Sequence, residues 1–201
     1  MVIAHHLILT GYGHWLSNDP RGSMSMRTYC PELAELAKNH FGRRKAQPSR
    51  QELRAFYREA QKRLSYPILW WDGTERCALV EALGNAVRKE NLTCYACAVL
   101  RNHAHLLIRK HRLKGEQMLG PLKEAGREAL CARSMAPADH PVFSADRCCI
   151  FKSTPEAVRA CVEYIERNYV KHNLTPISCD FVTEYDNFPF HKQGSRGARG
   201  V

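Results

Sequence analysis

Two histidines separated by a single alanine, His103-Ala104-His105, run directly into Leu106-Leu107-Ile108. That branched, apolar run reads as a buried strand. Side chains alternate faces along a strand, so His103 and His105 share one face, about 7 Å apart along the chain. Leu107 and Arg109 fall on the same face, whereas Ala104, Leu106 and Ile108 point the other way, into a core. Two neutral imidazoles at that separation can ligate one divalent ion. The same pattern also describes two polar positions on the wetter face of a sheet, so the pair alone leaves both readings open.

A second set of reactive residue types lies between Ser153 and Asn173. Ser153 with Glu156 fits a helix-capping signature, and Pro155 suits a first helical turn. Val158, Cys161, Val162, Ile165 and Tyr169 then recur at helical spacing as an apolar stripe. Tyr164 lies to one side of that stripe, with Asn168 one turn further on, so the two are neighbours on the helix surface. Ala157 and Ala160 keep this flank small, and Lys171 adds positive charge. A phenol beside an amide oxygen has the makings of a nucleophile with a metal ligand. A half-buried tyrosine reaching its hydroxyl to water is the plainer alternative.

Taken together, these stretches resemble a known family. His103-Ala104-His105, preceded by Asn102, resembles the HUH motif (His, hydrophobic, His) of the single-tyrosine transposases. Tyr164-Ile165-Glu166-Arg167-Asn168 resembles their Tyr-Ile-x-x-Asn helix. The opening Leu9-Thr10-Gly11-Tyr12-Gly13-His14-Trp15-Leu16, with Asp19-Pro20-Arg21-Gly22, is similar to that of the REP-associated tyrosine transposase branch. The motifs occur in the family's order from residue 3 to about residue 190, and residues 30–72 match least. Two positions depart from the pattern: Ala104 is smaller than the usual bulky residue, and Tyr169 stands where many relatives have proline. Neither removes a reacting group.

The resemblance implies an HUH endonuclease: a transposase that cuts and rejoins single-stranded DNA at hairpin or palindromic elements. It implies a divalent metal, Mg²⁺ or Mn²⁺, held by His103, His105 and Asn168, with Tyr164 forming a 5′-phosphotyrosine intermediate. A phenol of ordinary pKa, about 10, needs help to attack; Lys171 and the metal are the nearest candidates to supply it. The implied partner is single-stranded or hairpin DNA, bound by a monomer or a homodimer. Two alternatives stand beside this reading. One is a domesticated relative that binds hairpin DNA without cutting it, and the other is an unrelated basic α+β enzyme.

The 201 residues suit one domain, and an apolar fraction of 44% suffices for a sizeable core. A net charge of +10 and a pI near 9.3 favour polyanionic partners, nucleic acid first among them. No apolar run approaches the roughly 20 residues needed to span a bilayer. The N-terminal apolar patch is too short and His-rich for a signal peptide, which places the protein in the cytoplasm. Nine cysteines form no complete zinc signature, since Cys94-x-x-Cys97 lacks a second pair, and in a reducing compartment they read as small apolar residues.

Several elements must position these groups. A strand is expected over 2–10, then a Gly/Asn/Asp/Pro-rich loop over 11–23. In that loop Arg21 suits a phosphate, and Trp15 suits either a base face or the edge of the core. Helices are expected over 31–39, 50–64 and 74–90, with a basic connection over 42–48. A hairpin follows, 93–100 and 103–110, turning at Arg101-Asn102. Pro121 is expected to open a helix that exposes Lys123 and Arg127 one turn apart, and these join Arg109 as DNA-contact candidates. A strand over 142–152 precedes the tyrosine helix, and an aromatic arm over 176–190 follows it. The order predicts an α+β, ferredoxin-like sandwich, its helices on one face of an antiparallel sheet. The expected division is one transposase-like domain over 1–190, with 30–72 as a helical insertion, and a flexible basic tail over 191–201.

Overall fold

The structure, a computed structural model, describes residues 1–23 and 31–190; the expected basic tail lies outside the described residues. In chain order the elements are β1 (Ala4–Thr10), α1 (Pro31–Ala34), α2 (Arg50–Arg63), α3 (Gly73–Lys89), β2 (Cys94–Val99), β3 (His103–Arg109), α4 (Gly115–Ala132), β4 (Cys148–Lys152) and α5 (Pro155–Lys171).

β1 sends Leu7 and Leu9 to one side and Ala4 and His6 to the other, and all four are buried. A strand buried on both faces has its place inside a sheet. Accordingly β1 pairs antiparallel with β3 on one edge and β4 on the other, and the β2–β3 hairpin completes the order β2-β3-β1-β4. With α3 and α4 as crossovers, this is the ferredoxin-like βαββαβ arrangement.

Each sheet face has its own core. On one, Leu7, Leu9, Ala104, Leu106 and Ile108 pack against Leu79 and Leu83 of α3 and Leu119 and Leu122 of α4. Gly126 of α4 lets α3 and the Phe143 ring approach closely; a Cβ there would sit 3.1 Å from Leu79 of α3 and 2.8 Å from the Phe143 ring. On the other face, Ala96, Ala98 and Leu107 pack against Val158, Cys161, Ile165 and Tyr169 of α5. The one-face arrangement thus holds for the crossover helices, while α5 covers the opposite face. Burying about 100 Å² of apolar surface stabilises by roughly 2.5 kcal/mol, so the α5 stripe contributes substantially to its docking.

The helix expected over 31–39 is the short α1, which ends at Ala34, and local chemistry moves three further boundaries. α4 begins at Gly115, not Pro121, because the Gln117 side chain accepts from the Lys114 N–H at 2.8 Å and closes an earlier turn; Pro121 is carried inside the helix. α5 is capped by Thr154, not Ser153: the Thr154 hydroxyl accepts from the Ala157 N–H at 3.2 Å, placing Pro155 at the first helical position. β4 spans only Cys148–Lys152, and Val142, where the strand was expected to start, has a left-handed φ of 59° that no strand can hold.

After α5 the chain wraps the free edge of β2. The Thr183 N–H donates to the Cys94 carbonyl at 2.8 Å, Phe181 enters the α3-side core, and Tyr185 and Phe188 pack on the α5 side. The eight described cysteines are free thiols. Among the described residues, no helix is long and apolar enough to cross a membrane.

Candidate active site

β3 is held on both edges, with His105 opposite Ile8 of β1 and Ala98 of β2. Pairing on both sides fixes its pleat, so His103 and His105 are forced onto the face that α5 crosses. α5 lies there because its stripe packs on β2 and β3, and this phase carries Tyr164 over the histidines. The Tyr164 ring centroid lies 5.6 Å from that of His105, and the His103 and His105 rings are 4.7 Å apart. Tyr164 is 47% exposed, whereas His105 is only 2% exposed. A phenol open to solvent therefore stands beside the buried His105 imidazole.

Asn168, one turn beyond Tyr164, is 2% exposed. Its amide nitrogen donates to the Tyr164 carbonyl at 2.8 Å, which leaves the side-chain oxygen as the acceptor or ligand. Lys171 is exposed, yet its charge is close enough to lower the pKa of both His103 and His105. Burial is the larger cause: it pushes His103 down to about 4 and His105 to about 2. Both imidazoles are therefore neutral at neutral pH, the form that offers a lone pair to a metal.

The sequence reading missed a third histidine. His6 of β1 is 3% exposed, shares the β3 histidines' face, and places its Nε2 2.9 Å from Nδ1 of His105. Its ring is also 5.9 Å from that of Tyr164. Burial, with the Lys152 charge beside it, pushes its pKa down to about 4. A polar residue between Ala4 and Ile8 on the even-numbered face of β1 was the available signal. Only the β1–β3 register turns that signal into a contact. His172, just past α5, stands 5.9 Å from His103 ring to ring and was also unforeseen.

Whether these donors suit a metal can be tested on one atom. Nε2 of His105 is buried without a hydrogen-bond partner, and a buried polar atom left unpaired is costly. A cation at that nitrogen removes the cost. The donors are two imidazoles and an amide oxygen; among the described residues, no three His, Cys, Asp or Glu side chains are arranged to hold a metal.

The expected DNA contacts are less available than the sequence suggested. Arg109 is on the histidine face but pairs with Asp186 at 3.4 Å and lies over the Phe188 ring. Arg21 makes a two-point ion pair with Asp19 and stacks 3.8 Å over Trp15, so its charge is already compensated. Trp15 itself stays 43% exposed. Lys123 and Arg127 are half-buried on α4, across the sheet from Tyr164, and are not the exposed pair expected. Lys123 donates to the Ser144 and Asp146 carbonyls, and Arg127 is paired with Glu124.

No protein-family profile matches the chain, and no curated protein matches it in sequence. Among solved structures it is similar to a REP-associated tyrosine transposase bound to a REP hairpin, at 12% identity and a TM-score of 0.44, covering 86% of this chain and 70% of that one. It is also similar to a Deinococcus radiodurans protein described as a candidate transposase, at 14% identity and a TM-score of 0.39, covering 88% and 94%. The likeness is one of chain path; the chemistry is read from the residues.

Proposed function

We propose that this protein is a metal-dependent transesterase that cleaves and rejoins single-stranded DNA at hairpin elements through Tyr164. The observation that carries the reading is the pairing of an exposed phenol, 5.6 Å ring to ring from His105, with a buried imidazole nitrogen that has no partner. His103, His105 and the Asn168 oxygen would hold the ion. When bound, it supplies Lewis-acid polarisation of the scissile phosphate. Two nitrogen donors favour Mn²⁺ over Mg²⁺, which prefers oxygen.

Tyr164 attacks the phosphorus of one strand: a Tyr–O–P bond forms and the P–O3′ bond breaks. The proton lost by the phenol is balanced by the one taken up at the departing 3′ oxygen. The 5′-phosphotyrosine conserves the ester, so attack by a 3′-hydroxyl rejoins DNA without a nucleotide cofactor. Lys171 supplies positive charge beside the reacting group, and Trp15 offers an exposed ring for an unpaired base.

Incubation with hairpin oligonucleotides and Mn²⁺, followed by a denaturing gel, tests this reading. A protease-sensitive covalent adduct is expected, lost in Tyr164→Phe and reduced at least 100-fold in His105→Ala. An adduct that persists in Tyr164→Phe refutes the nucleophile. Salt-sensitive binding with no adduct in the wild type identifies a binding protein instead.

A further inference from the structure

Both β3 histidines are held by the same ring atom. Nδ1 of His103 lies 2.7 Å from the Asn102 side-chain oxygen, and Nδ1 of His105 lies 2.9 Å from Nε2 of His6. An amide oxygen only accepts, so His103 must carry its proton on Nδ1 and keep a lone pair on Nε2. The His6–His105 contact has two solutions. If His6 donates, His105 carries its proton on Nε2, the buried atom without a partner, and has no lone pair to offer there. If His105 donates, Nε2 is a bare lone pair aimed into the site. We propose that His6 is a positioning residue: it accepts the Nδ1 proton of His105 and holds that ring as a metal ligand. His6 and His105 are diagonal neighbours across β1 and β3, a separation long side chains span. Metal-bound histidines commonly have their second nitrogen fixed in this way, and loss of the fixing group costs about 10–100-fold in metal affinity.

This inference rests on the metal reading above. Long-range ¹H–¹⁵N NMR of the metal-free protein reports each ring's tautomer directly. The expected wild-type result is Nδ1–H on His105 and an unprotonated Nε2 on His105 and His6. His6→Phe is expected to shift His105 toward the other tautomer and weaken Mn²⁺ binding 10- to 100-fold by calorimetry. His6→Gln, which keeps an acceptor, recovers part of the loss. A wild-type His105 protonated on Nε2 overturns the proposal without recourse to any variant. So does a folded His6→Phe protein with unchanged tautomer and Mn²⁺ affinity. A wild type that shows the expected tautomer yet binds no Mn²⁺ overturns the metal reading, and the positioning role with it.

A separate observation assigns work to the helical insertion. Arg50, Arg54 and Arg58 lie on one face of α2, about 6 Å of helix rise apart. All three are exposed, and no ion pair among the described residues engages them. Of the acidic groups of α2, Glu52 accepts from the Ser49 N–H and Glu59 is ion-paired with Lys62, with Arg58 a weaker neighbour of Glu59. We infer that this stripe grips the phosphate backbone of a nucleic-acid stem. Binding of a labelled hairpin across a salt series tests it with the Arg50→Gln, Arg54→Gln, Arg58→Gln triple variant. The slope of log K against log salt is expected to shrink by about 2 to 3, since each phosphate contact contributes roughly 0.9. An unchanged slope and affinity overturns the assignment while leaving the catalytic reading intact. Failure of the wild type to bind hairpin DNA sinks both.

Discussion

His105 has one ring nitrogen bonded to His6 and the other buried without a partner, which makes its protonation costly in the folded chain. The consequence is a pH-dependent stability whose sign can be derived. An unfolded histidine titrates near 6.5, whereas folded His103 and His6 titrate near 4 and His105 near 2. Between pH 6.5 and about 4 the unfolded chain takes up protons that the folded chain refuses, so stability falls as pH falls. Each group contributes at most about 1.4 kcal/mol per pH unit within its window. Urea midpoints at pH 7, 6 and 5 should fall progressively, and less steeply in His103→Asn. A midpoint that is flat over this range contradicts the buried, neutral histidines.

α5 matters as an element because its docking sets where Tyr164 points. Tyr169 does much of that anchoring: buried to 5% exposure, its hydroxyl accepts from the Val99 N–H at 3.2 Å, while Arg76 donates to the Val99 carbonyl at 2.9 Å. Tyr169→Phe leaves the buried Val99 N–H unpaired and is expected to cost about 1–3 kcal/mol. Urea denaturation should register this as a lower midpoint at unchanged slope; no loss would mean that α5 is held by its apolar stripe alone. The stripe itself was legible in the sequence, as were β1, the β2–β3 hairpin, α3 and the shared face of His103 and His105, because each is written in local periodicity. His6 was not, because it meets His105 only through the β1–β3 register, a pairing between residues 99 positions apart. Arg21 and Arg109 looked like free cations for a related reason. Arg109 finds its partner, Asp186, 77 residues away, and Arg21 is committed by the fold of its own loop. Boundaries failed where a single side chain decided them, as Gln117 did at α4 and Thr154 at α5.

At the scale of the molecule, the grouping of all these residues within one chain has a direct consequence. His6, His103, His105 and Tyr164 come together through β1, β3 and α5 of a single copy, and α5 is fixed to its own sheet by a continuous apolar core. A second copy is therefore not needed to supply the phenol. If helices were exchanged between copies, mixing Tyr164→Phe with His105→Ala would pair an intact phenol with intact imidazoles and restore activity. The docked arrangement predicts the opposite: no covalent adduct above that of either variant alone, at any mixing ratio and even after co-refolding from denaturant. The wild type, treated identically, should recover its adduct and so control for refolding. An adduct in the mixture approaching a quarter or more of the wild-type yield would mean that the tyrosine helix acts on a neighbouring copy. The cores that hold α5 would then have to open and re-form between chains, at the expense of the α5 packing described above.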